Sequence, residues 1–408
     1  MKVSELPPEV AAHFHLHELE MPTDPDEQHK ALDAIFRFGD CPMDNLQAIQ
    51  NLARNASTIL PAPRIPKLPP GTPVVAIGSG PSLESHLETL LAIQHRCVMV
   101  AASSAVKGLR RAGIEPHFTT PMERTEDMLP FTPQGGPHVT FAGSPFVAKP
   151  VMDCFERFAF NPDCNPVCQW GAITGDEMIF YGSSTGTTAV SLACSMTDGP
   201  VYLVGHDLAY DSDRSHFDGA QSLPMEKLGT VDGNSGEQVE SCWLWRRYRA
   251  MIGDVCGIHK KVINTNILAK RGATIANTLP GSLTDVLSMP IFLLTDGKRY
   301  PERLVHWKRL AKVLPMDARR AIKKFEVART VDELDISKAI PGQNGYLLAY
   351  LMGCIYVQLS LEIAPNLPGK KCVATEKQAV EWCRTATINC LRESMGVFEE
   401  VADYGRSA

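Results

Sequence analysis

The chain predicts an α/β fold of the Rossmann-like kind: a mostly parallel sheet with helices on both faces, plus a helical N-terminal segment and a helical C-terminal domain. Three observations carry this. Between residues 73 and 290, short apolar runs alternate with segments of helical periodicity. The first run, Val74-Val75-Ala76-Ile77, ends in a glycine turn, Gly78-Ser79-Gly80-Pro81-Ser82-Leu83, that opens a helix. From about residue 300 onward the pattern is helical, with no further convincing strand.

Residues 1–60 read as helical, with periodic apolar positions at Leu32, Ile35, Leu46, Ile49 and Leu52. Residues 61–72 read as a linker, because their five prolines cannot sit in a regular element. Within the 73–290 core, strands are expected at 74–77, 98–102, 138–142, 157–160, 201–204 and 261–264. Helices are expected near 81–94, 104–112, 185–197 and 239–256. Leu83, Leu87, Leu90 and Leu91 recur at helical spacing and give the first of these helices a buried face. Residues 291–408 form the helical C-terminal domain. Its longest uncharged stretch, Ala339 to Leu361, has an apolar part, Tyr346 to Val357, too short to span a bilayer, so it reads as a buried or interface helix.

A chain of 408 residues with 44% hydrophobic and 21% charged residues has room for a large core in two or three domains. A net charge of −6 gives no support to nucleic-acid binding. The first residues, Met1-Lys2-Val3-Ser4-Glu5-Leu6-Pro7-Pro8, hold no apolar signal core, so a cytoplasmic location is expected. In a reducing compartment the twelve cysteines serve mainly as small hydrophobes. Cys154, Cys164 and Cys168 lack both the Cys-x-x-Cys spacing and a nearby histidine that a structural zinc site needs.

The glycine turn carries the chemistry. Its order places backbone N–H groups and a helix N-terminus where they can hold a phosphate, and Pro81 suits a first helical position. A dinucleotide site would need a third glycine, where Leu83 stands, and a carboxylate after the next strand, where Ala101-Ala102-Ser103-Ser104 offers none. A P-loop is excluded because no Gly-Lys-Ser/Thr follows Gly80. A phosphate-holding turn of another lineage, or a tight structural turn, remains.

Three more segments reach the carboxyl edge of such a sheet, where ligands bind. Pro116-His117-Phe118 leads a short strand to Glu123. Tyr181-Gly182-Ser183-Ser184-Thr185-Gly186 is a hydroxyl-rich loop that opens a helix. Val201 to Val204 leads into Gly205-His206-Asp207-Leu208-Ala209-Tyr210 and a polar loop carrying Asp211, Asp213 and His216. Ser and Thr are also ordinary helix caps, and a loop pair such as Asp211-x-Asp213 is usually solvated rather than metal-bound.

Taken together, Gly78-Ser79-Gly80-Pro81-Ser82-Leu83, Pro116-His117-Phe118 to Glu123, and Gly205-His206-Asp207-Leu208-Ala209-Tyr210 to His216 resemble the motility accessory factor family. These are flagellin glycosyltransferases whose core is related to bacterial sialyltransferases. Val231 to Val239, and Ile263-Asn264 to Gly272-Ala273-Thr274-Ile275, fit the same pattern, so the likeness spans roughly residues 70–285. Glu123 and His117 depart from it, since the family usually has Asp at both positions.

The resemblance implies a CMP-activated nonulosonic acid as donor substrate, Ser/Thr of flagellin as acceptor, and no obligatory metal or other cofactor. Gly78, Ser79, Gly80, Pro81 and Ser82 would hold the nucleotide phosphate, with Ser103 and Glu123 beside them. Ser183, Ser184 and Thr185 would contact the cytidine or the sugar carboxylate. His216 would be the general base, Tyr210 would hydrogen-bond the departing phosphate, and Asp207 would orient the loops. The likeness extends to archaeal 6-hydroxymethylpterin pyrophosphokinases, in which Glu123, Asp207, Asp211 and Asp213 would serve ATP and Mg²⁺. A non-catalytic flagellin-binding protein on the same fold is the third reading.

Overall fold

The computed structural model describes residues 42–407 apart from 127–128, 130–131, 133–135, 164, 171, 174–175, 219, 221–228, 291–293, 296, 330–338, 341, 346, 349–350 and 352–375. The expected helical positions Leu32 and Ile35, the cysteine Cys164 and most of the uncharged stretch 339–361 lie outside the described residues. The chain divides into two compact units. One comprises Ser57–Cys164 and Gly175–Pro301, and the other Met1–Ala56, Asn165–Thr174 and Glu302–Ala408.

The first unit is built on an eight-stranded sheet in which every strand pair is parallel. Its strands are β1 (Val74–Ile77), β2 (Val98–Ala101), β3 (Phe118–Thr119), β4 (Gly136–Phe141), β5 (Phe155–Phe158), β6 (Val201–Val204), β9 (Val262–Asn264) and β10 (Leu279–Pro280). A separate hairpin pairs β7 (Thr230–Asp232) with β8 (Gln238–Glu240). The order across the sheet is β10-β9-β6-β1-β2-β3-β4-β5. The winding therefore reverses between β1 and β6. In open parallel sheets that reversal leaves a crevice outside the carboxyl ends of the two strands.

The central strands are apolar throughout because both faces are covered. Val74, Ala76, Val98, Val100, Val201 and Leu203 pack on one side with Ala189, Val190, Leu192 and Ala193 of a helix (Thr185–Met196), and with Ile252 and Cys256 of another (Trp243–His259). Val75, Ile77, Met99, Ala101, Tyr202 and Val204 pack on the other side with Leu90, Ile93, Ala105, Val106 and Leu109. That alternation is the two-residue period of a strand, and each fully buried Val, Leu or Ile contributes roughly 2 kcal/mol.

In chain order the described long helices are α1 (Pro42–Ile59), α2 (Leu87–Ile93), α3 (Ser103–Arg111), α4 (Thr185–Met196), α5 (Trp243–His259), α6 (Glu302–Phe325) and α7 (Glu376–Ser407). The segment after the glycine turn starts as a 3₁₀ turn, Pro81–His86, before α2. Six residues wound at three per turn advance the phase, so Ile93 is buried where Leu91 was expected and Leu91 is 45% exposed. The expected helix 239–256 begins at Trp243, because Gln238–Glu240 pairs in the hairpin instead.

The proline-rich segment forms no regular element, yet it lies against the sheet unit. Ile65 is buried and donates its amide to Asn161 Oδ1 (3.0 Å), while Leu68 donates to the Met196 carbonyl (2.7 Å). In the second unit α1 buries Leu46, Ile49 and Leu52 as their spacing predicts. There α6 packs along α7, and Trp170 meets Trp307 edge-on at 6.0 Å. No helix among the described residues is long and apolar enough to cross a membrane.

Candidate active site

The site forms where β1 and β6 diverge. Gly78 donates its amide to the Val204 carbonyl (2.8 Å) and Gly80 to the Gly205 carbonyl (2.8 Å), extending the β1–β6 pairing beyond both strands. The two chains touch so closely that a Cβ on Gly78 would stand 2.4 Å from Gly205 O, and one on Gly205 would stand 2.5 Å from Gly78 O. Gly205 also has φ +70°, a left-handed backbone that favours glycine. These glycines are needed for strand-to-strand contact before any ligand is considered.

Asp207 closes the arrangement. Its Oδ2 accepts from the Ser82 amide (3.2 Å) and the Ser82 hydroxyl (2.8 Å), and its Oδ1 accepts from Asn266 Nδ2 (3.3 Å). Its carbonyl accepts from the Ala273 amide (2.7 Å), where Gly272 at φ +65° leaves no room for a side chain. Burial pushes this carboxyl up to about 6, against the Ser82 hydrogen bonds that favour its charge. The protein's own carboxylate thus occupies the helix start at the end of the glycine turn. With Gly78, Gly80 and Ser82 engaged and Pro81 lacking an N–H, Ser79 is the residue of the turn whose amide has no acceptor among the described residues.

Neighbouring strand ends add polar groups. Ser104 donates to Ser79 Oγ (2.9 Å). Ser103 hydrogen-bonds the Glu123 carboxylate, which also accepts from the Met122 amide (2.9 Å); burial nevertheless raises the Glu123 carboxyl above its ordinary value. Thr120 donates to the Thr185 carbonyl (2.8 Å), tying the end of β3 to the start of α4. There Ser184 caps the helix by accepting the Thr187 amide (3.1 Å). Ser183 is half-buried beside it. The glycine turn, Ser103, Glu123 and Thr185, distant in sequence, therefore reach one edge of the sheet. His117 does not reach it: it precedes β3 and accepts the Met99 amide (3.1 Å).

The loop after β6 returns to the turn through Phe217, whose amide donates to the Ser79 carbonyl (3.0 Å). It brings His216 and Tyr210 to the same indole: Tyr210 lies 4.8 Å and His216 6.2 Å from Trp245, between ring centroids. Burial holds the His216 imidazole down at about 4, and Ser215 Oγ lies 2.9 Å from its Nδ1. Arg214 bridges Glu84 (3.0 Å) and Asp211 (3.1 Å), so Asp211 is engaged in an ion pair. Among the described residues no group of three or more His, Cys, Asp or Glu side chains is gathered for a metal.

Sequence reasoning missed Trp245, Asn266, Ser104 and Thr120. Trp245 had a signal in Trp243-Leu244-Trp245, an aromatic pair opening a helix. The other three are short polar residues that only their partners distinguish.

Comparison with known proteins bears out the resemblance seen in the motifs. Residues 47–213 match the family model described as 6-hydroxymethylpterin diphosphokinase MptE-like. A solved structure of the Maf glycosyltransferase from Magnetospirillum magneticum AMB-1 matches with a TM-score of 0.59 at 18% identity, over 95% of this chain and 65% of that one. The chain thus spans somewhat under two thirds of that protein's length, and the two share the fold. No curated protein matches the chain.

Proposed function

We propose that the chain is a glycosyltransferase that moves a nonulosonic acid from a CMP-activated donor to a Ser/Thr hydroxyl of flagellin, in the cytoplasm and without an obligatory metal. The observation carrying this is the placement of His216. The Phe217–Ser79 hydrogen bond sets its loop on the glycine turn at the β1–β6 crevice, and Tyr210 shares its indole. The likeness to a glycosyltransferase fold supports the same reading.

In this mechanism the acceptor oxygen attacks the anomeric carbon as its proton passes to His216. The bond from that carbon to the phosphate oxygen breaks, and its electron pair leaves with CMP. Tyr210 donates a hydrogen bond to the leaving phosphate. Ser79, Ser103, Glu123 and the loop Ser183–Thr185 line the donor, and Asp207 holds the turn and the β6 end in place. His216→Ala is expected to abolish transfer while CMP binding survives; unchanged turnover overturns the assignment. Because burial keeps His216 neutral down to about pH 4, the acid limb of kcat/KM is expected near 4 rather than near the ordinary histidine value of 6.5. An acid limb at 6.5 would remove His216 as the base.

The family model favours a second reading, an ATP-dependent diphosphotransferase using Mg²⁺. Asp207 and Asp211 are engaged by protein donors rather than turned to a shared ion, which places this reading second. Thermal protection separates the two: CMP alone stabilises a CMP-donor transferase, whereas ATP only with Mg²⁺ stabilises the diphosphotransferase.

A further inference from the structure

The sheet carries a cavity apart from the β1–β6 crevice, and all of its lining belongs to the first unit. Phe118, Thr140 and Arg157 pair in one row across β3, β4 and β5, so their side chains leave on the same face. Val100, the next residue of that row on β2, is buried with Ala189 and Val190 of α4. From Phe118 to Arg157 the row instead lines a cavity of about 340 Å³. That volume falls at the lower end of small-molecule sites, which run from about 300 to 1,000 Å³. Thr140 stands three strands from β1, about 14 Å across the sheet at the ordinary strand spacing.

Main-chain bonds tie the walls together. The Pro63 carbonyl accepts from the Phe160 amide just past β5 (2.8 Å), and Arg64 donates its amide to the Lys298 carbonyl (2.9 Å). Gly297 packs so closely that a Cβ there would stand 2.0 Å from the Arg64 carbonyl oxygen. The Arg64 guanidinium lies 4.0 Å over the Tyr300 ring and pairs with Asp176 (3.3 Å), which holds it at the wall. Arg299 lines the same cavity; its guanidinium is exposed and has no hydrogen-bond or ion-pair partner among the described residues. Glu156 is the one carboxylate residue among the described lining. It precedes Arg157 on β5, so its side chain leaves on the opposite face. Thr140 is 7% exposed, and its hydroxyl has no partner among the described residues. A hydroxyl so buried is costly until something meets it with a hydrogen bond.

We propose that this cavity is a second small-molecule site, and that it takes an organic molecule bearing a phosphate or a carboxylate. Arg157 on the floor and Arg299 on the wall meet the anionic group, and the Thr140 hydroxyl donates to one of its oxygens. The planar guanidinium fork matches either oxyanion. A bare inorganic ion would leave most of the volume empty, so the ligand has an organic body, with Phe118 as its apolar contact. The site is separate from the donor crevice and does not rest on the transferase reading.

The test is calorimetric titration of the full chain with citrate, glycerol 3-phosphate and uncharged glycerol, each with and without CMP. Arg299→Met and Thr140→Val are compared with the wild type, and circular dichroism confirms that each variant folds. Thr140→Ser, which keeps the hydroxyl, guards against a packing effect of the Val variant. At least one of the two anions is expected to bind at millimolar concentration or tighter, with glycerol inert and CMP without effect on the binding. The tighter of the two tells a carboxylate ligand from a phosphate one. Affinity for that anion is expected to fall about tenfold in Arg299→Met and about threefold in Thr140→Val, and to be kept in Thr140→Ser. A wild type that binds neither anion overturns the inference. So does equal affinity in the wild type and either Arg299→Met or Thr140→Val, or displacement of the anion by CMP. A chain that binds the anion through Arg299 but binds no CMP leaves the cavity site standing and removes the CMP-donor reading.

Discussion

Two loops at the carboxyl edge, Gly78–Ser82 and Ser183–Gly186, look alike in sequence: each is rich in Gly and Ser and opens a helix. Their physical roles differ. In the first, backbone amides are taken up by the end of β6 and by the Asp207 carboxylate, so the glycines exist to let two chains touch. In the second, the cap is satisfied locally and the amides at the helix start remain available. A glycine-rich turn before a helix is thus a statement about close approach. Whether the approaching group is a ligand or the protein itself depends on the residues just past the neighbouring strand.

Substitution at the two loops should separate them most sharply. Gly80 has φ −67°, which any residue tolerates, but a Cβ there would stand 2.0 Å from Asp207 Oδ2. Gly80→Ala is therefore expected to destabilise the fold by about 3 kcal/mol or more, measured by urea unfolding. Stability within about 1 kcal/mol of wild type would show that the turn is not locked to Asp207. Gly186 has its nearest neighbour at 3.6 Å, so Gly186→Ala should leave stability unchanged or raise it by up to about 1 kcal/mol, while weakening CMP binding by crowding the donor beside Ser183–Thr185. An alanine there with full affinity would place the donor away from this loop.

The next effect in size is that of the Asp207 charge. Its carboxyl takes up a proton near pH 6 in the folded chain, against an ordinary value of 3.8. The native state therefore holds the extra proton between those values. Stability from this group is fully present below about pH 4 and is lost as pH rises through 6, by up to about 3 kcal/mol. Asp207→Asn should remove that dependence: unfolding free energies of wild type minus variant should shift in favour of wild type on acidification from pH 7 to 4. A difference that stays flat across the range contradicts the shift. The smallest effect is expected at the second loop, where Ser184→Ala loses one cap hydrogen bond and about 1 kcal/mol in thermal or chemical unfolding.

Much of the sheet was legible because a doubly covered strand is a short apolar run, and runs such as 74–77 and 201–204 have no other reading between turn residues. The short strands β3 and β10, two residues each, and the β7–β8 hairpin carry too little periodicity to announce themselves, although β3 was expected from the approach to Glu123. Of the candidate site, Asp207, Tyr210 and His216 could be picked out in sequence because all three lie on the polar loop that follows the buried strand Val201–Val204.

The sequence by itself determined the alternation of strands and helices, the glycine turn after the first strand, and the residues that lead off each strand end, because local periodicity and backbone sterics dictate them. The tertiary structure decided which carbonyls and carboxylates those amides meet. The order β9-β6-β1-β2 sets Asp207 against Ser82 and opens the crevice. Hydrogen bonds and charges act over a few ångströms, and residues more than a hundred positions apart come that close only when the sheet has chosen its order.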